Sequence, residues 1–237
     1  MRETRSSLRP PIYELRLLNA FEVVCDGASV ELPLGAQRLV AFVALRRRPV
    51  RREYAAGMLW LDVSDERAAA NLRSTLWRIQ KLTPQLLDTA GGRLCLASDV
   101  QIDLHAAEQA AHGVLAGASD RPDLRLFAAD VLPDWYDEWL VLERERFRQF
   151  RLSALEELCE RWTTAGRLGE ALELGLLSVA GEPLRESAHR ALIRVHIATG
   201  NAAEALRQYG VCRRLLYDQL GIEPTQQLRE LIDALGT

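Results

Sequence analysis

The segment that most restricts how this chain can fold is SDERAAANLRSTLWRIQKL, residues 64 to 82, because its two sides call for different surroundings. At about 100° per residue, Ala69, Leu72, Leu76, Ile79 and Thr83 line one side of a helix. Arg67, Ala70, Asn71, Ser74, Trp77, Arg78 and Lys81 line the other. Ser64 is placed to cap the amino end, Asp65 and Glu66 fall in the first turn, where the helix dipole favours anions, and Lys81 falls in the last. One side needs a core and the other a polar partner. Long cationic forks suit phosphates and guanine edges, and amides suit adenine, so the outer side has the chemistry of major-groove reading. Taken alone, the segment is equally a solvated amphipathic helix, and its neighbours decide between the two.

A chain of 237 residues suggests two domains, each able to bury a core. No apolar run approaches the roughly 20 residues that span a bilayer, and the basic, polar start MRETRSSLRPP lacks the apolar stretch of a signal peptide. A soluble, cytoplasmic protein without membrane contact is expected. Cys25, Cys95, Cys159 and Cys212 are scattered without CxxC spacing, which suits buried thiols in a reducing cytoplasm better than a disulfide framework or zinc site. The net charge of -3 conceals an asymmetry: residues 1–97 hold 15 basic against 10 acidic side chains, and residues 98–237 hold 15 against 23. Only the first part suits a polyanion.

Following the chain, residues 13–33 alternate at period two through Leu15, Leu17, Phe21, Val23 and Cys25, turn at Asp26-Gly27, and resume at Val30 and Leu32. A small antiparallel sheet is expected. LGAQRLVAFVALRRRP then predicts a helix buried along Leu39, Val40, Phe42, Val43 and Leu45 and ending before Pro49. Arg46, Arg47 and Arg48 at its end serve either the helix dipole or a phosphate. A short helix over VRREYAAGMLW and a turn at LDV lead into the two-sided helix, which is the order of a helix-turn-helix. Leu86 to Thr89, the turn Ala90-Gly91-Gly92 and Arg93 to Leu96 complete a hairpin, or wing. The whole is a winged helix whose leading sheet resembles the OmpR-type subclass.

From Asp103 onward the pattern is helical, with helices expected at 103–116, 123–130, 136–163, 169–180, 186–198, 202–219 and 224–235. AGRLGEALEL at 165–174 realigns with TGNAAEALRQ at 199–208, pairing Gly166 with Gly200, Glu170 with Glu204 and Ala171-Leu172 with Ala205-Leu206. The shift of 34 residues is the tetratricopeptide period. Pro183 ends the first unit's second helix, whereas Leu216-Tyr217 stands at the corresponding position of the second, so that helix should run on to Leu220-Gly221. The expected fold class is mainly α. It comprises a tail at 1–11, a winged helix-turn-helix with small antiparallel β-sheets at 12–97, and an all-α tetratricopeptide-like domain at 98–237.

These residues together resemble the Streptomyces antibiotic regulatory proteins. LPLGAQRLVAFVAL, the turn at Trp60 and AAANLRSTLWRIQKL carry the likeness in the first part. VLPDWYDEWLVLERERFR, GEPLRESAHRALIRVHIATGNAAEALRQY and LYDQLGIEPTQQL carry it in the second, where they resemble the bacterial transcriptional activator domain. The resemblance implies an activator that binds direct repeats in double-stranded DNA upstream of promoters, as two protomers side by side, and recruits RNA polymerase holoenzyme, here for a secondary-metabolite gene cluster. It places Glu66 to Leu82 in the major groove. Arg67, Asn71, Arg73, Ser74, Trp77, Arg78 and Lys81 are then the base or phosphate contacts, with Arg73 on the flank and suited to phosphate. Trp77 either packs on sugar or a thymine methyl, or covers the neighbouring helix. Gln80 stands where relatives carry an Arg, which weakens one expected phosphate contact. On the wing, Arg93 is the minor-groove or phosphate residue and Thr89 a weaker contact.

No catalytic constellation accompanies them. His105 and His112, like His189 and His196, are seven apart and lack HExxH spacing or a nearby thiolate, so no metal site is expected. Lys81 is the sole lysine and lies outside any GxxxxGK[ST] motif, so neither nucleotide hydrolysis nor a cofactor is implied. Larger members of the family append such a module. With no receiver domain ahead of the winged helix, activity is expected to follow abundance, a partner or a ligand. Trp135, Tyr136 and Trp139 are read as a packed junction rather than a ligand pocket, and ERERFRQFR at 143–151 as an ion-paired face. The alternatives are repression at the protein's own promoter, or a tetratricopeptide scaffold whose winged helix docks protein instead of DNA.

Overall fold

The computed structural model describes residues 11–235, so the expected tail at 1–11 falls almost wholly outside the described residues. In chain order come β1 (Tyr13–Arg16), β2 (Glu22–Cys25), β3 (Ala28–Val30), α1 (Leu34–Arg46), β4 (Val50–Arg51), α2 (Arg52–Leu59) and α3 (Asp65–Leu82). They are followed by β5 (Leu87–Asp88), β6 (Arg93–Leu96), β7 (Gln101–Ile102), α4 (Asp103–Leu115), α5 (Glu138–Thr164), α6 (Leu168–Gly181), α7 (Glu186–Ala198), α8 (Ala202–Leu220) and α9 (Gln226–Asp233). The fold is mainly helical, with small sheets in the first part and only helices in the second. Two compact units result: one runs to Ala106 and adds Asp130–Arg144, and the other takes Ala107–Ala129 and the chain from Glu145.

In the first unit β3, β2 and β1 form an antiparallel meander, and β7 joins β1 in parallel. Asp26 and Gly27 make the first turn with φ of 49° and 84°, the paired positive values that match the twist of a two-residue hairpin. A second sheet has the order β4-β6-β5. Behind it α1 is buried along Leu39, Val40, Phe42, Val43 and Leu45, as its apolar spacing requires. Two strands depart from expectation. Val50–Arg51 extends the wing sheet instead of starting a helix, and Gln101–Ile102 pairs with β1 beyond the expected boundary at 97.

The same unit recruits Asp130–Arg144. Asp137 accepts hydrogen bonds from Arg38 Nε and Nη2 at 2.9 and 2.5 Å and from the Trp139 indole at 3.1 Å. Trp139 meets Phe42 edge-on at 5.3 Å and Trp135 stacks on Phe21 at 5.8 Å, while Tyr136 is 94% exposed. Arg144 donates to the carbonyls of Val131, Leu132 and Trp135, which holds the turn at Leu132, a residue with φ of 44°. Asp103 accepts from the amides of Leu17, Leu18 and Leu104, tying the end of β1 to the start of α4. Burial raises its carboxyl above the usual range despite these bonds.

In the second unit the two repeats are superimposable in their hydrogen bonds. Gly166 and Gly200 both have φ of 75°. The amide of Arg167 bonds the Trp162 carbonyl, and 34 residues later that of Asn201 bonds the His196 carbonyl; Gly166 to Thr163 and Gly200 to Ile197 complete the match. These are Schellman endings, in which glycine reverses the chain so that the next helix packs back. Ala171 and Ala205, wholly buried, allow the close approach. As expected, α8 runs on to Leu220 and ends at Gly221, and Leu228 on α9 joins Cys212 and Leu216 in the terminal core. The helix expected at 123–130 shrinks to a 3-10 turn at Leu124–Phe127, capped by Asp123, and the one at 224–235 to Gln226–Asp233.

Candidate nucleic-acid interface

Three helices and a hairpin set the geometry. Leu72, Thr75 and Ile79, with Ala68 before them and Thr83 after, turn α3 into the core. The buried side is rotated from the expected one: Ala68 and Thr75 replace Ala69 and Leu76, which are half-buried. Thr75 is polar and escapes a hydropathy pattern. It faces Gly35 on α1, where an added Cβ would lie 3.9 Å from its hydroxyl. Ser64 occupies the N-cap but its side chain makes no capping bond; its hydroxyl instead bonds Glu66, holding that carboxyl below its usual range.

The opposite side stays open. Arg67, Ser74, Arg78 and Lys81 are exposed and Asn71 is half-buried. At 3.6 residues per turn these five lie within about 40° of a single line along the helix. None of Arg67, Arg73, Arg78 and Arg93 forms an ion pair among the described residues, so their charge is uncompensated at the surface. Trp77 is 62% exposed, with Lys81 Nζ 5.3 Å from its ring centroid, so it does not cover a neighbouring helix.

Trp77 and Arg73 turn toward the wing. With Arg52, Gln80, Gln85 and Thr89 they line a cleft of about 260 Å³ between α3 and the hairpin. Arg52 was missing from the sequence candidates, because it reads there only as the start of a helix. Its Nη2 donates to the Thr89 carbonyl at 3.4 Å, while its Nε is buried without a partner. Thr89 and Arg93 are exposed on either side of the Gly91-Gly92 turn, whose φ values are 62° and 73°. Of the arginine triplet, Arg46 is engaged structurally, 4.8 Å from the Phe42 ring centroid and 3.7 Å from Glu143. Arg47 takes a left-handed conformation with φ of 51° at the end of α1.

His189 is fully buried, with Nε2 2.9 Å from the Pro183 carbonyl and Nδ1 2.7 Å from Gln208 Nε2, which assigns the neutral Nε2-protonated ring. All four cysteines are free, and no cluster able to hold a metal occurs among the described residues. No helix among them is long and apolar enough to cross a membrane.

The profile of the bacterial transcriptional activator domain matches residues 100–235. The chain belongs to that family. Regulatory protein AfsR of Streptomyces coelicolor is 31% identical over 221 residues, and that of Streptomyces griseus 29% over 210. The matches cover 87% and 82% of this chain but only 22% of each AfsR, so the chain spans about a fifth of these relatives. They bear out the resemblance to the Streptomyces antibiotic regulatory proteins. Among solved structures, Mycobacterium tuberculosis EmbR in complex with a low affinity phosphopeptide superimposes with a TM-score of 0.76. The match covers 95% of this chain and 65% of EmbR at 22% identity, which shows a shared fold. This member of the activator domain family therefore joins its 100–235 region to a winged helix with an open, cationic third helix.

Proposed function

We propose that this chain is a sequence-specific DNA-binding activator, with α3 in the major groove and the wing on the flanking backbone. The observation that carries the reading is the stripe of Arg67, Asn71, Ser74, Arg78 and Lys81 along the exposed side of α3, with no carboxylate partner for its arginines. Cations left unpaired on a surface are available to displace counterions from DNA. Arg73, Lys81 and Arg93 acting together predict a slope of log affinity against log salt of about -2.7. Arg67, Asn71, Ser74 and Arg78 face base edges in this arrangement. Arg73, Lys81, Thr89 and Arg93 face phosphate or the minor groove, and Trp77 packs on sugar or a thymine methyl. The target is a pair of direct repeats upstream of a promoter, bound by two copies that recruit RNA polymerase holoenzyme. Resemblance to the Streptomyces antibiotic regulatory proteins favours a secondary-metabolite cluster as the regulated locus.

Footprinting on the DNA upstream of neighbouring genes, followed by transcription in vitro with purified polymerase, tests the proposal. A salt-sensitive footprint over a repeated sequence and more transcript are expected. A footprint with less transcript would make the protein a repressor, and no salt-sensitive complex would leave the protein-docking alternative.

A further inference from the structure

A second cationic surface lies on the other side of the wing. Antiparallel pairing of β4 with β6 sets Arg51 directly opposite Arg93. Arg48 sits just ahead of them, and all three, with Tyr54, line a cavity of about 390 Å³. Each is exposed, and none forms an ion pair among the described residues. Arg46 borders the same cavity but is occupied by Glu143 and the Phe42 ring. Like charges directly across an antiparallel pair repel, so this arrangement disfavours the sheet unless an anion sits between them. No side-chain carboxylate lines the cavity.

Which anion follows from position. Arg93 is the first residue after the wing turn, so the cavity is continuous with the hairpin that the proposed function sets on DNA. Arg51 and Arg52 are consecutive, yet they line different cavities: Arg51 this one, and Arg52 the cleft between α3 and the hairpin. A duplex backbone presents evenly spaced phosphates, so a strand leaving the cleft is placed to reach this second seat. We propose that Arg48, Arg51 and Arg93 form a phosphate seat for the same duplex, so that cations on both flanks of the wing grip the DNA backbone. This inference rests on the DNA-binding reading and adds Arg48 and Arg51 to it.

The test uses the full chain, a duplex carrying the footprinted repeat, a random-sequence duplex, and affinity measured across a salt series. Arg48→Ala and Arg51→Ala should each reduce the salt slope by about 0.9, with equal fold losses on both duplexes. Arg51→Lys should retain the slope. Arg229→Ala, at an exposed arginine on α9, should leave it unchanged. Melting at low salt should show Arg51→Ala no less stable than the parent, since a repulsion has been relieved. An unchanged slope in Arg48→Ala and Arg51→Ala, with the parent still binding DNA, would overturn the seat alone. An equal slope change in Arg229→Ala would overturn it too, by making the effect one of bulk charge. A parent protein with no salt-sensitive complex would sink the DNA reading itself, a different outcome.

Discussion

Replacing Asp137 by alanine removes one carboxylate and strands three donors. Arg38 Nε and Nη2 and the Trp139 indole all converge on Oδ1. Side-chain exposure is 31% for Arg38 and 15% for Asp137, between a surface ion pair and a buried one. Hydrogen bonds to a charged group contribute about 1.5–3 kcal/mol each when buried, and partial solvation lowers that. Some stranded donors recover water, so the net expectation is about 2–3 kcal/mol. For a unit of this size that corresponds to a fall in Tm on the order of 5–15 °C. Denaturant unfolding followed by tryptophan fluorescence is a suitable assay, because Trp139 sits against both Asp137 and Phe42. A double-mutant cycle with Arg38→Ala should give a coupling of at least about 1 kcal/mol. If the two losses simply add, or Asp137→Ala unfolds like the parent, then Asp130–Arg144 does not hold to α1 as described.

Gly200→Ala should destabilise by about 1–2 kcal/mol, since φ of 75° strains any L side chain although open space surrounds the position. Gly210→Ala, helical and equally open, should stabilise by about 0.5–1 kcal/mol; thermal unfolding reads both. Burial pushes the His189 imidazole below its usual value, so the unfolded chain takes up the proton first. Its contribution to stability is complete above about pH 6.5 and declines as pH falls through and below that value. A pH series of melting curves should show this decline reduced in His189→Gln. Leu72→Ala should cost about 2–5 kcal/mol, because its side chain is buried, whereas Ser74→Ala should stay within about 0.5 kcal/mol of the parent.

The sequence made long, periodic elements readable and short, non-local ones obscure. Every helix from α5 to α9 was visible because apolar spacing persists over several turns, and the glycines at 166 and 200 marked their reversals. The strands at Val50–Arg51 and Gln101–Ile102 are two residues long, too short for alternation to register, and each exists only because a distant strand pairs with it. The association of Asp130–Arg144 with the first unit was hidden for a similar reason. Trp135 and Trp139 signalled burial, but nothing local names Phe21 and Phe42 as their partners. On α3 the outward side is legible because charge defines it, with Asn71 more covered than its neighbours. The inward side shifted because Thr75 packs against a glycine that leaves it room. Arg52 became visible only once the wing and α3 were folded around a common cleft.

Arg78 offers the sharpest test, since it is exposed, unpaired and central to the α3 stripe. Affinities of the parent and Arg78→Ala should be compared on the footprinted duplex, on variants changed one base pair at a time, and on random DNA. A loss of about 1–3 kcal/mol confined to the cognate duplex, with preference erased at one base position, is the predicted result. Equal losses on cognate and random DNA, with every base preference intact, would contradict base reading by this helix.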